Sequence, residues 1–165
     1  MLNRLVNRLA KYFYGICVSV IMPFLFGCSD KPVLQDEVVW KKVCTQWGVS
    51  SAKVKEIMRT YSLKQSSSSV LTYKGKSSAE AISYRFVDDS LCAVVVLIDA
   101  TQVDETAIYN SFNGQESLGE NNSAKLFIDY PNMKLIAVSS IKKNDMKYYS
   151  VGYADLGNVL KNSEK

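Results

Sequence analysis

Along the chain, apolar positions change period several times, and each change marks an element. Trp40, Val43, Cys44 and Trp47 fall at i, i+3, i+4 and i+7, one face of a helix, and Gly48 follows as a natural terminator. Ser50 suits the N-cap of a second helix, in which Val54, Ile57, Met58 and Tyr61 repeat that spacing. The two stripes predict a helical hairpin packed on a sheet through Trp40, Val43, Trp47, Val54, Ile57 and Met58. Residues 64–69 are polar and read as a loop.

After that loop the period becomes two. Val70–Tyr73 predicts a short strand, and Ile82, Tyr84 and Phe86 alternate with Ser83 and Arg85 as in a half-buried one. Asp88-Asp89-Ser90 turns the chain, and Leu91–Ile98 is apolar throughout, as in a central strand covered on both faces. Residues 104–112 suggest a short helix with acids at its positive end, and 115–123 a loop. Two hairpins follow: 125–130 with 134–139 across Pro131-Asn132, and 146–153 across Asn144-Asp145. The expected order is αα-βββ-α-βββ, with residues 50–98 echoing 104–153 in pattern as an α-βββ duplication. The expected fold class is α+β: an antiparallel sheet of about six strands with short helices on one face. The expected organisation is a leader over 1–27, a tether over 28–37, one domain over 38–157 and a polar, fraying tail over 158–165.

Within Leu91–Ile98, strict alternation sends Leu91, Ala93, Val95 and Leu97 one way and Cys92, Val94, Val96 and Ile98 the other. Helices on one face cover only one set. The other needs a cover of its own, because large apolar patches on monomers mark contact sites. Val94 and Val96, together with Tyr148 and Tyr149, are therefore the expected interaction surface. Tyr is the one surplus residue type, with eight after the leader: Tyr61, Tyr73, Tyr84, Tyr109, Tyr130, Tyr148, Tyr149 and Tyr153. Such a surplus suits both sheet packing and interfaces.

Charge sharpens the picture at the N-terminus. The chain carries 20 basic and 16 acidic residues, but Arg4, Arg8 and Lys11 lie in an acid-free leader, so the body is close to neutral. A near-neutral body argues against nucleic acid as a partner, even though the helix pair around Gly48 superficially resembles a helix-turn-helix. The basic start, the apolar run 12–26 interrupted by Pro23, and the polar Ser29-Asp30-Lys31-Pro32 have the layout of a secretory signal.

That segment ends Leu25-Phe26-Gly27-Cys28, which resembles the lipobox of bacterial lipoproteins, with Phe26 where the family carries a smaller residue. The resemblance covers residues 1–28 and implies cleavage before Cys28, acylation of its thiol and amino group, and membrane anchoring through several acyl chains. Ser29 after the Cys, with the Asp one place later, points in that family to the outer membrane. Cys44 and Cys92 then remain, and either one disulfide or two buried thiols would satisfy them.

Candidate chemistry is thin. The chain has no His, which removes His-dependent triads and imidazole metal sites. Ser50-Ser51-Ala52-Lys53 matches Ser-x-x-Lys, but its companion motifs are missing and an N-cap explains Ser50. Asp88-Asp89 suits a turn, and Asp99, Asp104 and Glu105 lack a calcium-loop spacing. The expectation is a non-enzymatic, lipid-anchored envelope protein without cofactor or metal. Its partners would be the membrane through Cys28 and an envelope protein or glycan. The alternatives are an apolar small-molecule binder and a carboxylate-based enzyme acting on envelope glycans.

Overall fold

The computed structural model describes residues 39–41, 43–120 and 124–163; the leader, Cys28 and the tether lie outside the described residues. A 3₁₀ turn, Val39–Lys41, precedes α1 (Ser51–Ile57) and a four-strand meander: β1 (Leu63–Ser66), β2 (Val70–Lys74), β3 (Ala79–Val87) and β4 (Ser90–Asp99). Helix α2 (Glu105–Asn110) opens a second meander of β5 (Glu116–Glu120), β6 (Lys125–Asp129), β7 (Lys134–Lys143) and β8 (Met146–Asp155), and α3 (Leu156–Ser163) follows.

All eight strands form one antiparallel sheet, ordered β1-β2-β3-β4-β8-β7-β6-β5. The class is α+β, with eight strands among the described residues where about six were expected, and the order after the 3₁₀ turn is α-ββββ-α-ββββ-α. The two meanders join at β4 and β8, where Val96 lies directly opposite Val151. The strands missing from the sequence pattern, β1 and β5, are the two edges of the sheet. Their residues, Leu-Lys-Gln-Ser and Glu-Ser-Leu-Gly-Glu, are mostly exposed, so no buried face imposes alternation on them. Both edges are short and broken by a register shift, features that discourage edge-to-edge association.

Two apolar layers sandwich the sheet. Under α1 and α2 the first joins Trp40, Val54, Met58, Tyr84, Leu91, Val94, Val96, Ile108, Phe112, Val151 and Tyr153. On the second face Leu156 and Val159 of α3 pack over Cys92, Ala93, Val95, Leu126, Leu135, Ala137 and Ala154. Helices therefore cover both faces, not one. The polar tail is largely this third helix: Leu156 and Val159 recur at i and i+3, and the Asp155 carboxylate accepts the Gly157 N–H at 3.0 Å.

The stripe 40–47 is not an α-helix beyond the 3₁₀ turn, although Trp40 is buried and Val43, Cys44 and Trp47 pack against the same layer. In a helix the Cys44 N–H would donate to the Trp40 carbonyl. Here the Tyr153 hydroxyl donates to that carbonyl. The Tyr153 hydroxyl thus takes the acceptor that a helix would give to the Cys44 N–H. In α1 the expected stripe is half realised: Val54 and Met58 are buried, while Ile57 is 41% exposed.

Candidate functional site

The structure corrects the expected interaction surface. Val94 and Val96 are fully buried beneath the helices and belong to the core. The error has two physical sources. A bulge places Arg85 opposite Ala93 and Phe86 opposite Leu91, so Cys92 is an extra residue and Leu91 joins the Val94 side. Register also puts Ser83 opposite Val95, so the polar neighbours share a face with Val95, not with Val94. Tyr148 and Tyr149 do point to opposite faces, and for that reason they form no common surface with the valines. Tyr149 is buried in the layer under α1 and α2 with the Lys147 ammonium 4.8 Å from its ring. Half-buried Tyr148 directs its hydroxyl toward Met146 Sδ at 3.6 Å.

Cys44 and Cys92 are both free thiols. They lie on opposite faces of the sheet, Cys44 against the layer under α1 and α2 and Cys92 in the layer under α3, so no disulfide joins them. Burial pushes the Cys92 thiol pKa up, which keeps it protonated and inert.

The polar motifs resolve into local caps and turns. Ser50 Oγ accepts the Lys53 N–H at 3.3 Å, and Lys53 pairs with Glu56 at 2.8 Å. Asp88 and Asp89 both take positive φ in the β3–β4 turn. Asp89 accepts the Ser51 N–H at 2.9 Å, and the Ser51 hydroxyl together with that N–H holds its carboxyl below the usual range. Asp99 accepts from the Thr101 N–H and hydroxyl at 2.9 and 2.8 Å, and Asp104 caps α2 through the Thr106 N–H at 2.7 Å. Glu105 accepts from the Tyr109 hydroxyl at 3.0 Å and from Lys147 at 3.3 Å. Among the described residues no group of three or more His, Cys, Asp or Glu is arranged to hold a metal ion.

What the fold does assemble is a layer of phenols and sulfur under α1. Strand pairing brings Tyr73 of β2 beside Tyr84 of β3, edge to face with ring centroids 6.0 Å apart. The Tyr84 hydroxyl donates to Met58 Sδ at 3.2 Å, and Tyr61, beyond the C-terminal end of α1, packs against the same layer. Lys76 sits 4.3 Å from the Tyr61 ring centroid. The Tyr73 side chain is 3% exposed, and its hydroxyl has no hydrogen-bond partner; Trp47 Nε1, on the same layer, has none either. The sequence signalled only a surplus of tyrosine. Which of them meet is set by the register of β2 on β3.

Burial pushes the pKa of Tyr73, Tyr84 and Tyr153 above the ordinary phenol value, and burial with the adjacent Glu105 carboxylate does the same for Tyr109. These hydroxyls stay protonated near neutral pH. They are donors and apolar surface, not bases or nucleophiles. No described helix is long and apolar enough to cross a membrane. Comparison with protein-family models, with curated proteins and with solved structures finds no match to this chain.

Proposed function

We propose that this chain is a lipid-anchored protein of the bacterial cell envelope, at the outer membrane, whose single domain binds a ligand and does not catalyse a reaction. The anchor reading rests on the leader and on Gly27-Cys28. The binding reading rests on the Tyr73 hydroxyl, a buried donor without an acceptor in a layer of neutral phenols. A buried donor left unmade costs free energy, and a ligand that brings an acceptor recovers it. Half-exposed Cys44, Trp47 and Tyr61 border that layer and give it a side toward solvent. The ligand class that fits is a small, largely apolar molecule carrying one carbonyl or ether oxygen. This reading takes precedence over a protein or glycan contact through Val94 and Val96, which are core.

Two experiments test the two halves. Labelled palmitate is incorporated by the wild type and not by Cys28→Ala; unchanged labelling of the variant refutes the anchor. Prodan, an apolar fluorophore with one ketone oxygen, reads the site in the Cys28→Ala protein through energy transfer from tryptophan. Saturable binding weakened several-fold by Tyr73→Phe supports the reading; absent binding, or binding indifferent to that substitution, refutes it.

A further inference from the structure

Trp40, at the N-terminal start of the described chain, is fixed at one particular end of the sheet. Trp40 is held by two contacts: its carbonyl accepts from Tyr153, and its Nε1 donates to Ser111 Oγ at 3.0 Å. Tyr153 lies two residues before the end of β8 and pairs with Ile136, two residues into β7. The β6–β7 connection, Tyr130-Pro131-Asn132-Met133, therefore projects from the end of the sheet at which Trp40 is held. Twelve peptide steps separate Cys28 from Trp40, a reach of roughly 40 Å when extended.

That connection is rigid and apolar at its tip. The Asp129 carboxylate accepts from the Asn132 backbone at 3.3 Å and from its side-chain amide at 2.9 Å. The Met133 N–H donates to the Tyr130 carbonyl at 3.1 Å, and the Met133 carbonyl accepts from Leu156 at 3.0 Å. Met133 sits at φ +49°; among the described residues the other non-glycine positions of positive φ are Asp, Asn or Ser. A methionine in the left-handed region is held there by its surroundings. The result leaves Tyr130 53% and Met133 47% exposed, with Val87 of the neighbouring β3–β4 turn 55% exposed at the same end.

We propose that the Tyr130–Met133 tip seats on the lipid surface to which Cys28 tethers the domain, with Tyr130 and Met133 at the boundary of headgroups and acyl chains. The proposal rests on the lipid-anchor reading. Tyrosine suits that depth because its ring is apolar and its hydroxyl meets the headgroups. Two side chains bind a bilayer weakly by themselves, and the tether supplies the local concentration that makes the contact persistent. The rim is not basic: Asp88, Asp129 and Asp155 accompany Lys134. The contact is therefore apolar and does not depend on anionic lipid.

The test uses the full-length lipidated protein in phosphatidylcholine vesicles, with Cys44→Ser and Cys92→Ala removing the other thiols of the domain. A nitrobenzoxadiazole label is placed at Met133→Cys, at Tyr130→Cys as a second tip position, or at Met146→Cys, 56% exposed at the start of β8 at the opposite end. The expected result is blue-shifted emission at both tip positions, quenched by chain-brominated lipid, with no such quenching at position 146. Added phosphatidylglycerol does not increase the effect. Equal quenching at tip and control, a blue shift that brominated lipid does not quench, or quenching that appears only with phosphatidylglycerol overturns the proposal. Palmitate incorporation at Cys28 is scored on the same samples. Lipidated protein with a water-exposed tip overturns the seating alone, whereas absent lipidation overturns the anchor and the seating together.

Discussion

Removing the Tyr73 hydroxyl should stabilise the domain, and removing the Tyr84 hydroxyl, by the same chemical change, should destabilise it. Tyr73→Phe keeps the ring and its edge-to-face contact with Tyr84 at 6.0 Å, and deletes a buried donor that has no partner. An unsatisfied buried donor costs about 1–3 kcal/mol, so its removal should return on the order of 1 kcal/mol. For a chain of this size that raises the melting temperature by roughly 3–5 °C. Tyr84→Phe deletes the bond to Met58 Sδ at 3.2 Å, which should cost on the order of 1 kcal/mol. Urea unfolding of both variants beside the wild type reads the difference directly. The decisive quantity is the sign for Tyr73→Phe in ligand-free protein. If both variants lose stability to a similar extent, the Tyr73 hydroxyl has an acceptor, and the argument for a binding site beneath α1 goes with it.

Four further outcomes follow from the packing. Val94→Asp or Val96→Asp places a carboxylate in the fully buried layer and should unfold the domain, costing about 4 kcal/mol or more; a native circular dichroism spectrum would contradict this. Under native conditions a thiol reagent should modify half-exposed Cys44 quickly and buried Cys92 only after unfolding, with no mass change of the untreated chain on reduction. Ending the chain at Asp155 removes Leu156 and Val159 from the second layer and should cost roughly 3–5 kcal/mol, visible as a lower urea midpoint. Asp89 has its folded pKa below the unfolded value of 3.8, so its contribution is complete above that value and is lost as pH falls through the folded pKa. Acid titration of stability should show this loss in the wild type and a shallower slope below pH 3.8 in Asp89→Ala; parallel curves would refute the cap.

The sequence alone determined those elements whose side chains are sorted by burial. The strands β2, β3, β4, β6, β7 and β8 announce themselves because at least one face of each is buried, and Ser50 and Asp104 mark helix starts because orphan N–H groups need an oxygen. Tertiary structure decided the rest. The edge strands β1 and β5 carry polar residues because solvent takes the place of a packed face. The segment at Trp40–Trp47 has a helical stripe, but its Trp40 carbonyl accepts from Tyr153, a group distant in sequence. The candidate site was illegible for a related reason. One extra residue at Cys92 reverses the alternation at Leu91, and the pairing of Ser83 with Val95 decides which face its neighbours share. A period of two states that faces alternate, but only cross-strand register assigns a face to a residue. Tyr73 and Tyr84 meet because β2 lies on β3 with Tyr73 opposite Ile82 and Leu71 opposite Tyr84, a long-range fact that local pattern does not contain.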